Sequence, residues 1–346
     1  MPARDDIRGK IMTVRGAIEP SALGATLMHE HVLWDITRPH LRGRNDQGPE
    51  ISLETVWQYN YGEISHPRNY HLEDVAIAID EVGRMKQAGG QAIVELTCGG
   101  LRPDPLGLLA VSEGTGVNIV MGCGHYVEPY QDPRNHDRTV DDLASEMIGQ
   151  VLTGAWETPV RAGVIGEIGC SAPWTPLERK MMQAALLAKD ETGAALNVHP
   201  GRHPDQPQEV ADFIRGTGRE LDRVVISHID RTIFDSDRLL RLADTGVTIE
   251  FDLFGQENSF YALADIDMPN DAQRLRHIRT LIDHGHLDRV VISHDICYLT
   301  RLTRFGGHGY GHIFRNVVPM MRHRGFTDDE IDAILVRNPR RLLTFV

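Results

Sequence analysis

Two histidines lie two positions apart in the stretch LMHEHVLWD (27–35), an otherwise apolar run. In an extended strand alternate side chains point to the same side, so His29 and His31 would share one face and Glu30 would lie on the other. Imidazole is a common metal ligand. The pair alone is equally compatible with two hydrogen-bonded core histidines, so its interpretation depends on whether similar residues recur.

Ligand-type residues do recur near the ends of four further apolar runs. They are Glu167 in GVIGEIG, His199 in LNVHPG, His228 in VVISHID and Asp295 in VVISHDIC. Singly, each has an ordinary structural explanation, such as a helix cap, an ion pair with an arginine or a satisfied polar group. Together, six unpaired ionisable groups buried at the ends of these apolar runs would be destabilising. Divalent cations would satisfy all six at once, so the pattern predicts a metal centre.

Four imidazoles and two carboxylates are too many for one tetrahedral zinc ion, and they suit two cations about 3.5–4 Å apart. The first cation would bind the histidine pair of the first strand and Asp295. The second would bind His199 and His228, and Glu167 would bridge the two. Zinc is the expected metal, and this mixed ligand set also admits manganese, iron, cobalt or nickel.

The elements that must position these residues are eight short apolar runs separated by helical patterns. The runs span 25–33, 91–98, 117–125, 162–170, 195–200, 223–230, 247–254 and 289–297. Near-continuous β-branched runs indicate strands buried on both faces, as in parallel sheets. The sequence therefore predicts one (β/α)8 TIM-barrel domain over 1–346, with its active site at the C-terminal ends of the strands. The alternative, a doubly wound sheet, lacks a G-x-G-x-x-G motif after an early strand.

Composition and charge limit the partners. The chain has 346 residues with 41% hydrophobic and 25% charged residues, which is typical of a globular protein. A formal charge of −13 argues against nucleic acid and anionic membranes as main partners. No stretch approaches a membrane-spanning length, and the first residues lack the apolar core of a signal peptide. Four cysteines without CxxC spacing indicate reduced thiols, so we expect a cytoplasmic protein. With nucleic acid and membranes disfavoured, the expected partner is a small-molecule substrate.

Several loop residues are candidates for substrate contact. The long polar segment 36–70 follows the first strand and is predicted to form a lid or wall over the site. Tyr126, after the third strand, is expected either to bond the substrate or to be an aromatic wall residue. Arg301 and Tyr310 lie in the glycine-rich loop after the eighth strand. Arg301 could bind an anionic substrate. Because nearly all positive charge in this chain is arginine, it could instead be an ordinary cation without a specific binding role.

The motifs HEH, GEIG, NVHPG, ISHID and SHDI, with the closing NPRRLLTF, resemble the phosphotriesterase-related branch of the amidohydrolase superfamily over nearly the full chain. The resemblance implies that His29, His31 and Asp295 bind a buried metal and that the other two histidines bind a more exposed one. Many relatives bridge the metals with a carbamylated lysine on the fourth strand. Here that strand carries Glu167, and none of the four lysines lies in a predicted strand. Barrels of this family often pair, which leaves a homodimer open.

Together these residues predict a metal-dependent hydrolase. A hydroxide held between the cations would attack a carboxyl-type centre in a lactone, ester or N-acyl amide, and Asp295 would move the proton to the leaving group. Phosphotriester or phosphoester hydrolysis is the alternative reaction. A ligand-binding protein that retains the metal site is the alternative class, but the complete set of six ligand-type residues argues for an enzyme.

Overall fold

The computed structural model describes residues 4–43, 48–257 and 260–346. Its main feature is a sheet of eight parallel strands arranged in chain order, which confirms the predicted single-domain (β/α)8 barrel. The barrel strands are β3 and β6 to β12, and two short antiparallel pairs, β1–β2 and β4–β5, accompany them. The strands are β1 (Ile11–Thr13), β2 (Gly16–Ile18), β3 (Thr26–Glu30), β4 (Trp34–Asp35), β5 (His71–Leu72), β6 (Ala92–Glu95), β7 (Asn118–Cys123), β8 (Val164–Gly169), β9 (Leu196–His199), β10 (Val224–Ile226), β11 (Thr248–Phe251) and β12 (Val290–Ile292).

Helices follow the barrel strands, and several begin with a capping box. Before the helix Pro176–Thr192, the Thr175 hydroxyl accepts the Glu178 N–H at 3.2 Å, and the Glu178 carboxylate accepts the Thr175 N–H at 3.1 Å. The helices are α1 (Val56–Asn60), α2 (Val75–Gln87), α3 (Pro105–Thr115), α4 (Val140–Leu152), α5 (Pro176–Thr192), α6 (Gln206–Gly216), α7 (Ser236–Ala243), α8 (Asp271–Asp283), α9 (Val318–His323), α10 (Asp328–Asp332) and α11 (Asn338–Leu343). Over the described residues, no helix has both the length and the apolar character needed to cross a bilayer.

Small apolar side chains fill the lower part of the barrel. One cluster joins valines from five strands, namely Val94, Val120, Val164, Val225 and Val291. Side chains from strands that are not neighbours can meet in this way only inside the cylinder. Glu167, His228 and Asp295 follow three of these valines along or just after the same strands, so they lie toward the C-terminal mouth. All four cysteines are buried and free of disulfide bonds.

The segment 36–70 contains α1 and is anchored at both ends. Strand β4 before it pairs with β5 after it, and the Ile36 N–H donates to the Tyr70 carbonyl at 2.9 Å. Residues 44–47 of this predicted loop lie outside the described residues. The closed base holds the segment against the C-terminal side of β3.

The seam between the first and last barrel strands depends on Glu30, which lies between the two histidines of β3. Its carboxylate accepts the Ser293 hydroxyl at 2.7 Å and the backbone N–H groups of His294 and Ile296, each at 3.0 Å. The His294 Nδ1 lies 2.7 Å from the same carboxylate. One buried side chain therefore fixes the chain that follows β12.

We expect Glu30→Gln to lower the free energy of unfolding by about 2–4 kcal/mol, because an amide nitrogen would oppose buried N–H donors. Urea unfolding measures the change. Glu113→Gln, at an exposed position of α3, is the matched control and should shift stability by less than about 0.5 kcal/mol. Equal stability of the two variants would contradict the role assigned to Glu30.

Candidate metal centre

The structure brings the six predicted ligand residues together, with Glu167 of β8 at their centre. Its Oε2 atom lies 2.8 Å from His199 Nδ1, 3.4 Å from His228 Nε2 and 3.6 Å from His29 Nε2. Its Oε1 atom lies 3.6 Å from His31 Nε2. One carboxylate is therefore close to four imidazoles that come from three other strands.

Asp295 completes the set from the chain after β12. Its Oδ1 lies 3.3 Å from His31 Nε2 and 3.9 Å from His29 Nε2, and its backbone N–H donates to the His29 carbonyl at 3.1 Å. Asp295 and His228 both have left-handed backbones, with φ of 50° and 55°. Non-glycine residues rarely adopt this conformation, and it occurs preferentially at functional sites.

The buried ring nitrogens fit a cation. His29 is fully buried, and its Nε2 has no hydrogen-bond partner among the described residues although it faces Glu167. Two groups of side chains could each hold an ion, and they share Glu167. One group adds His29 and His31, and the other adds His199 and His228. This is the division into two sites that the sequence predicts, with Asp295 beside the first group.

A third group could also be read as a metal site, because Asp252 of the chain after β11 lies near His29 and His228. Its carboxylate is 3.2 Å from His29 Nδ1 and 2.9 Å from His228 Nδ1, and it accepts the His228 backbone N–H at 2.9 Å. These ring nitrogens face away from Glu167. Asp252 therefore fits better as the acceptor that orients two imidazoles than as a ligand.

Other acceptors also contact the ring nitrogens of His29 and His31 that face away from Glu167, here called the outer nitrogens. Glu250 Oε2 lies 3.3 Å from His29 Nδ1, and Thr97 Oγ1 lies 3.0 Å from His31 Nδ1. The Thr97 hydroxyl donates to Glu95. The sequence analysis did not single out these supporting residues. Alternation was the available signal, because the acids at 250 and 252 are two apart in TIEFDLF and so share one face of β11.

The protonation states suit a divalent cation. Burial alone would raise the pKa of Glu167, but the surrounding imidazoles, with hydrogen bonds from His199 and His228, outweigh it and hold that pKa well below its usual range. Burial would also raise the pKa of Asp295, and the hydrogen bond from His31 with nearby imidazoles lowers it instead. Burial lowers the pKa of His199 to about 3, so this ring is neutral at pH 7. Ionised carboxylates and a neutral imidazole are the forms that bind metal.

A cavity of about 260 Å³ opens over the cluster. Tyr126 and Arg301, both predicted to contact substrate, lie on its wall. Arg301 also donates to the Asp295 carbonyl at 2.7 Å, so it helps to fix that residue. The segment 36–70 contributes part of the wall, through Ile36, Arg38, Pro39, His40 and Tyr70.

Tyr310 is the predicted substrate contact that the structure does not bring to this cavity. It is almost fully buried, and its hydroxyl donates to the His31 carbonyl at 2.6 Å. Its position supports β3 from behind. Asp230, in the ISHID motif, accepts from Arg274 Nε at 2.8 Å and from the Leu253 N–H at 2.9 Å, so it joins the chain after β11 to the buried Arg274.

We expect Asp252→Asn to weaken metal binding by about 10- to 100-fold, because two imidazoles would lose the charged acceptor that fixes their orientation. Competition with a chelator of known affinity measures this change in the folded protein. Asp237→Asn, at an exposed position of α7, provides the control and should bind like the parent. Unchanged affinity in Asp252→Asn would show that Asp252 does not support the centre.

Comparison with known proteins places this geometry in a family. Residues 9–343 match the sequence model of the Phosphotriesterase family, whose members bind a binuclear metal. An N-acetyltaurine hydrolase of Dictyostelium discoideum is 40% identical, and the alignment covers 98% of each chain. The N-acetyltaurine hydrolase of Bos taurus is also 40% identical, with 98% of this chain and 99% of the relative covered.

The fold comparison agrees. The crystal structure of a resiniferatoxin-binding protein from Rhodobacter sphaeroides superposes with a TM-score of 0.91 at 36% identity, covering 97% of this chain and 96% of that one. Both the sequence match and the superposition span almost the whole chain. The chain therefore belongs to the phosphotriesterase family, and it is a metal-dependent hydrolase.

Proposed function

We propose that the chain hydrolyses a carboxyl-type bond of a small molecule, with an N-acyl amide ahead of a lactone or ester. The observation that carries this proposal is the pair of ligand groups that share Glu167 beneath a cavity. The names of the relatives support the amide, because N-acetyltaurine hydrolases act on an N-acyl amine. The substrate would enter between the strand ends and the segment 36–70, which we propose as the wall of the site.

The proposed ligands follow the two groups. The histidines of β3 with Asp295 would hold one cation, His199 and His228 would hold the other, and Glu167 would contact both. Zinc is the expected metal, with manganese, iron, cobalt or nickel as alternatives. Two bound cations would supply Lewis acidity and make water nucleophilic near neutral pH. A cytoplasmic location and a homodimer stay predictions from the sequence.

Asp295 is the proposed proton carrier. Its carboxylate lies on the cavity wall, is held ionised and has a side chain that is 15% exposed. An ionised carboxylate can accept a proton from the attacking water. When the C–N bond of the amide breaks and a C–O bond forms, the same group would return that proton to the leaving nitrogen. Arg301, which donates to the Asp295 carbonyl, would keep the carboxylate in place.

Tyr126 is the proposed donor to the substrate carbonyl. Its hydroxyl lies 3.4 Å from His199 Nε2 at the cavity wall. Burial and the nearby Glu167 carboxylate raise the pKa of Tyr126 well above its usual value, so the hydroxyl keeps its proton. A protonated hydroxyl beside the second ligand group could stabilise negative charge on the carbonyl oxygen.

A substrate screen of the metal-loaded protein tests the proposed function. We expect N-acetyltaurine or another N-acyl amine to be turned over with a higher kcat/KM than a γ-lactone or a dialkyl aryl phosphotriester, because the relatives share the amide reaction. Chelation should abolish turnover, and added zinc or manganese should restore it. A phosphotriester as the best substrate would support the alternative reaction. Full metal loading without any turnover would support a binding protein.

We expect Asp295→Asn to lower kcat by about 10²- to 10⁴-fold, because an amide cannot carry the proton. The comparison is made with the parent protein at equal metal content, measured by atomic emission. Undiminished turnover at equal metal content would remove Asp295 from the proposed role.

A further inference from the structure

Arg231 is a buried guanidinium beside the proposed metal site, and no carboxylate of the described residues lies within ion-pair distance of it. It is 3% exposed and lies on the wall of the cavity described above. Its guanidinium donates to the Pro200 carbonyl at 3.1 Å and lies 3.4 Å from the Thr232 hydroxyl. Within the described part of the chain it forms no ion pair. A buried charge is costly unless it is paired. An anion bound beside Arg231 would therefore stabilise its guanidinium.

Two other buried arginines show how this chain usually compensates such a charge. Arg274, fully buried, pairs with Asp230 at 2.8 Å and with Asp271 at 2.9 Å. Arg223 donates to the Gly193 carbonyl after α5 and to the Arg341 carbonyl in α11. Carbonyls at helix C-termini carry partial negative charge, which suits a guanidinium. Within the described ranges, Arg231 has neither a carboxylate at ion-pair distance nor a helix C-terminus as its acceptor.

The cavity around Arg231 has the same imbalance. Its wall includes four arginines, at positions 38, 202, 231 and 301. The carboxylates among the described lining residues are Glu167 and Asp295, and both belong to the proposed metal site. Once these two contact cations, nothing on the described wall offsets the guanidinium charges. This is notable in a chain whose formal charge is −13.

The position of Arg231 fixes where an anion would lie. One of its terminal nitrogens is 3.4 Å from His199 Nε2, while Nδ1 of the same ring faces Glu167. One imidazole ring therefore separates the guanidinium from the proposed metal site. If Nδ1 binds a cation, the neutral ring carries its proton on Nε2. That N–H would then share the cavity wall with the guanidinium nitrogen and the Tyr126 hydroxyl, each 3.4 Å from Nε2.

From these contacts we infer that Arg231 binds the anionic end of the substrate. The substrate class is an N-acyl amine that carries a sulfonate or carboxylate on a short linker from the scissile amide. This inference rests on the proposed amide hydrolysis and adds the residue that selects acidic substrates. A guanidinium binds such an oxyanion through its fixed positive charge and its N–H donors.

Three substrates with the same acetamide and the same two-carbon linker test the inference in the metal-loaded protein. N-acetyltaurine carries a sulfonate, N-acetyl-β-alanine a carboxylate, and N-acetylethanolamine a neutral hydroxyl. Arg231→Gln should lower kcat/KM for the preferred acidic substrate by about 30- to 100-fold, as expected for loss of one partner of a buried charge pair. The ratio of acidic to neutral kcat/KM should fall by at least about tenfold. Whichever acid loses more identifies the group that is bound.

A matched variant and a conservative variant separate selectivity from structure. Arg276→Gln removes the same charge at an exposed position of α8, away from the cavity, so it should keep the acidic-to-neutral ratio within about threefold of the parent. Arg231→Lys keeps the charge without the planar fork, so it should restore part of the preference. Equal losses on all three substrates, or an equal change of ratio in Arg276→Gln, would overturn the inference.

A binding measurement distinguishes this inference from the proposed function. Ethanesulfonate has the acidic group and no amide, and calorimetry should detect weaker binding to Arg231→Gln than to the parent, both metal-loaded. Binding that depends on Arg231 without amide turnover would leave the anion site standing and reject the amide reaction. Amide turnover without such binding or preference would reject the anion site alone. Absence of both would reject both.

Discussion

One buried carboxylate among four imidazoles is the constraint on which the structure of the mouth depends. A carboxylate and four rings cannot be removed from water without compensation, since each unpaired polar atom would be costly. The chain meets this cost on the outer side of three of the four rings. Asp252 serves two rings, and Thr97 serves a third. The inner nitrogens are left to Glu167, and the buried Nε2 of His29 has no partner among the described atoms.

His199 departs from this pattern, because its outer nitrogen faces the cavity. The outer nitrogens of the other three rings face acceptors in the protein interior, whereas the outer nitrogen of His199 faces Tyr126 and Arg231 at 3.4 Å each. Both of these neighbours line the cavity. The ring thus lies between Glu167 and the place where we propose that the anionic end of the substrate binds. His199 is the last residue of β9, and this position at the strand end places its ring at the cavity wall.

Sequence reasoning succeeded where the barrel itself determines position. Parallel strands end at one mouth, so ligand-type residues at strand ends had to converge, and Glu167 and Asp295 did. It was incomplete for Asp252 and for Glu250, whose alternation matched an ordinary strand and gave no sign of the rings they face. It placed Tyr310 at the substrate because loop residues have no periodicity that reveals burial. Arg231 went unnoticed, since the lack of a counter-charge is visible only in three dimensions.

Glu30, the central residue of the HEH motif, links closure of the barrel to the position of the two histidines beside it. Glu30 fastens the end of the last strand to the first, while its immediate neighbours on either side project into the charged mouth. Parting of these two strands, the edge at which a cylinder opens most easily, would therefore carry both rings away with it. Local fraying at this seam would therefore also disable the site. Only molecules in which the two strands stay together would be active.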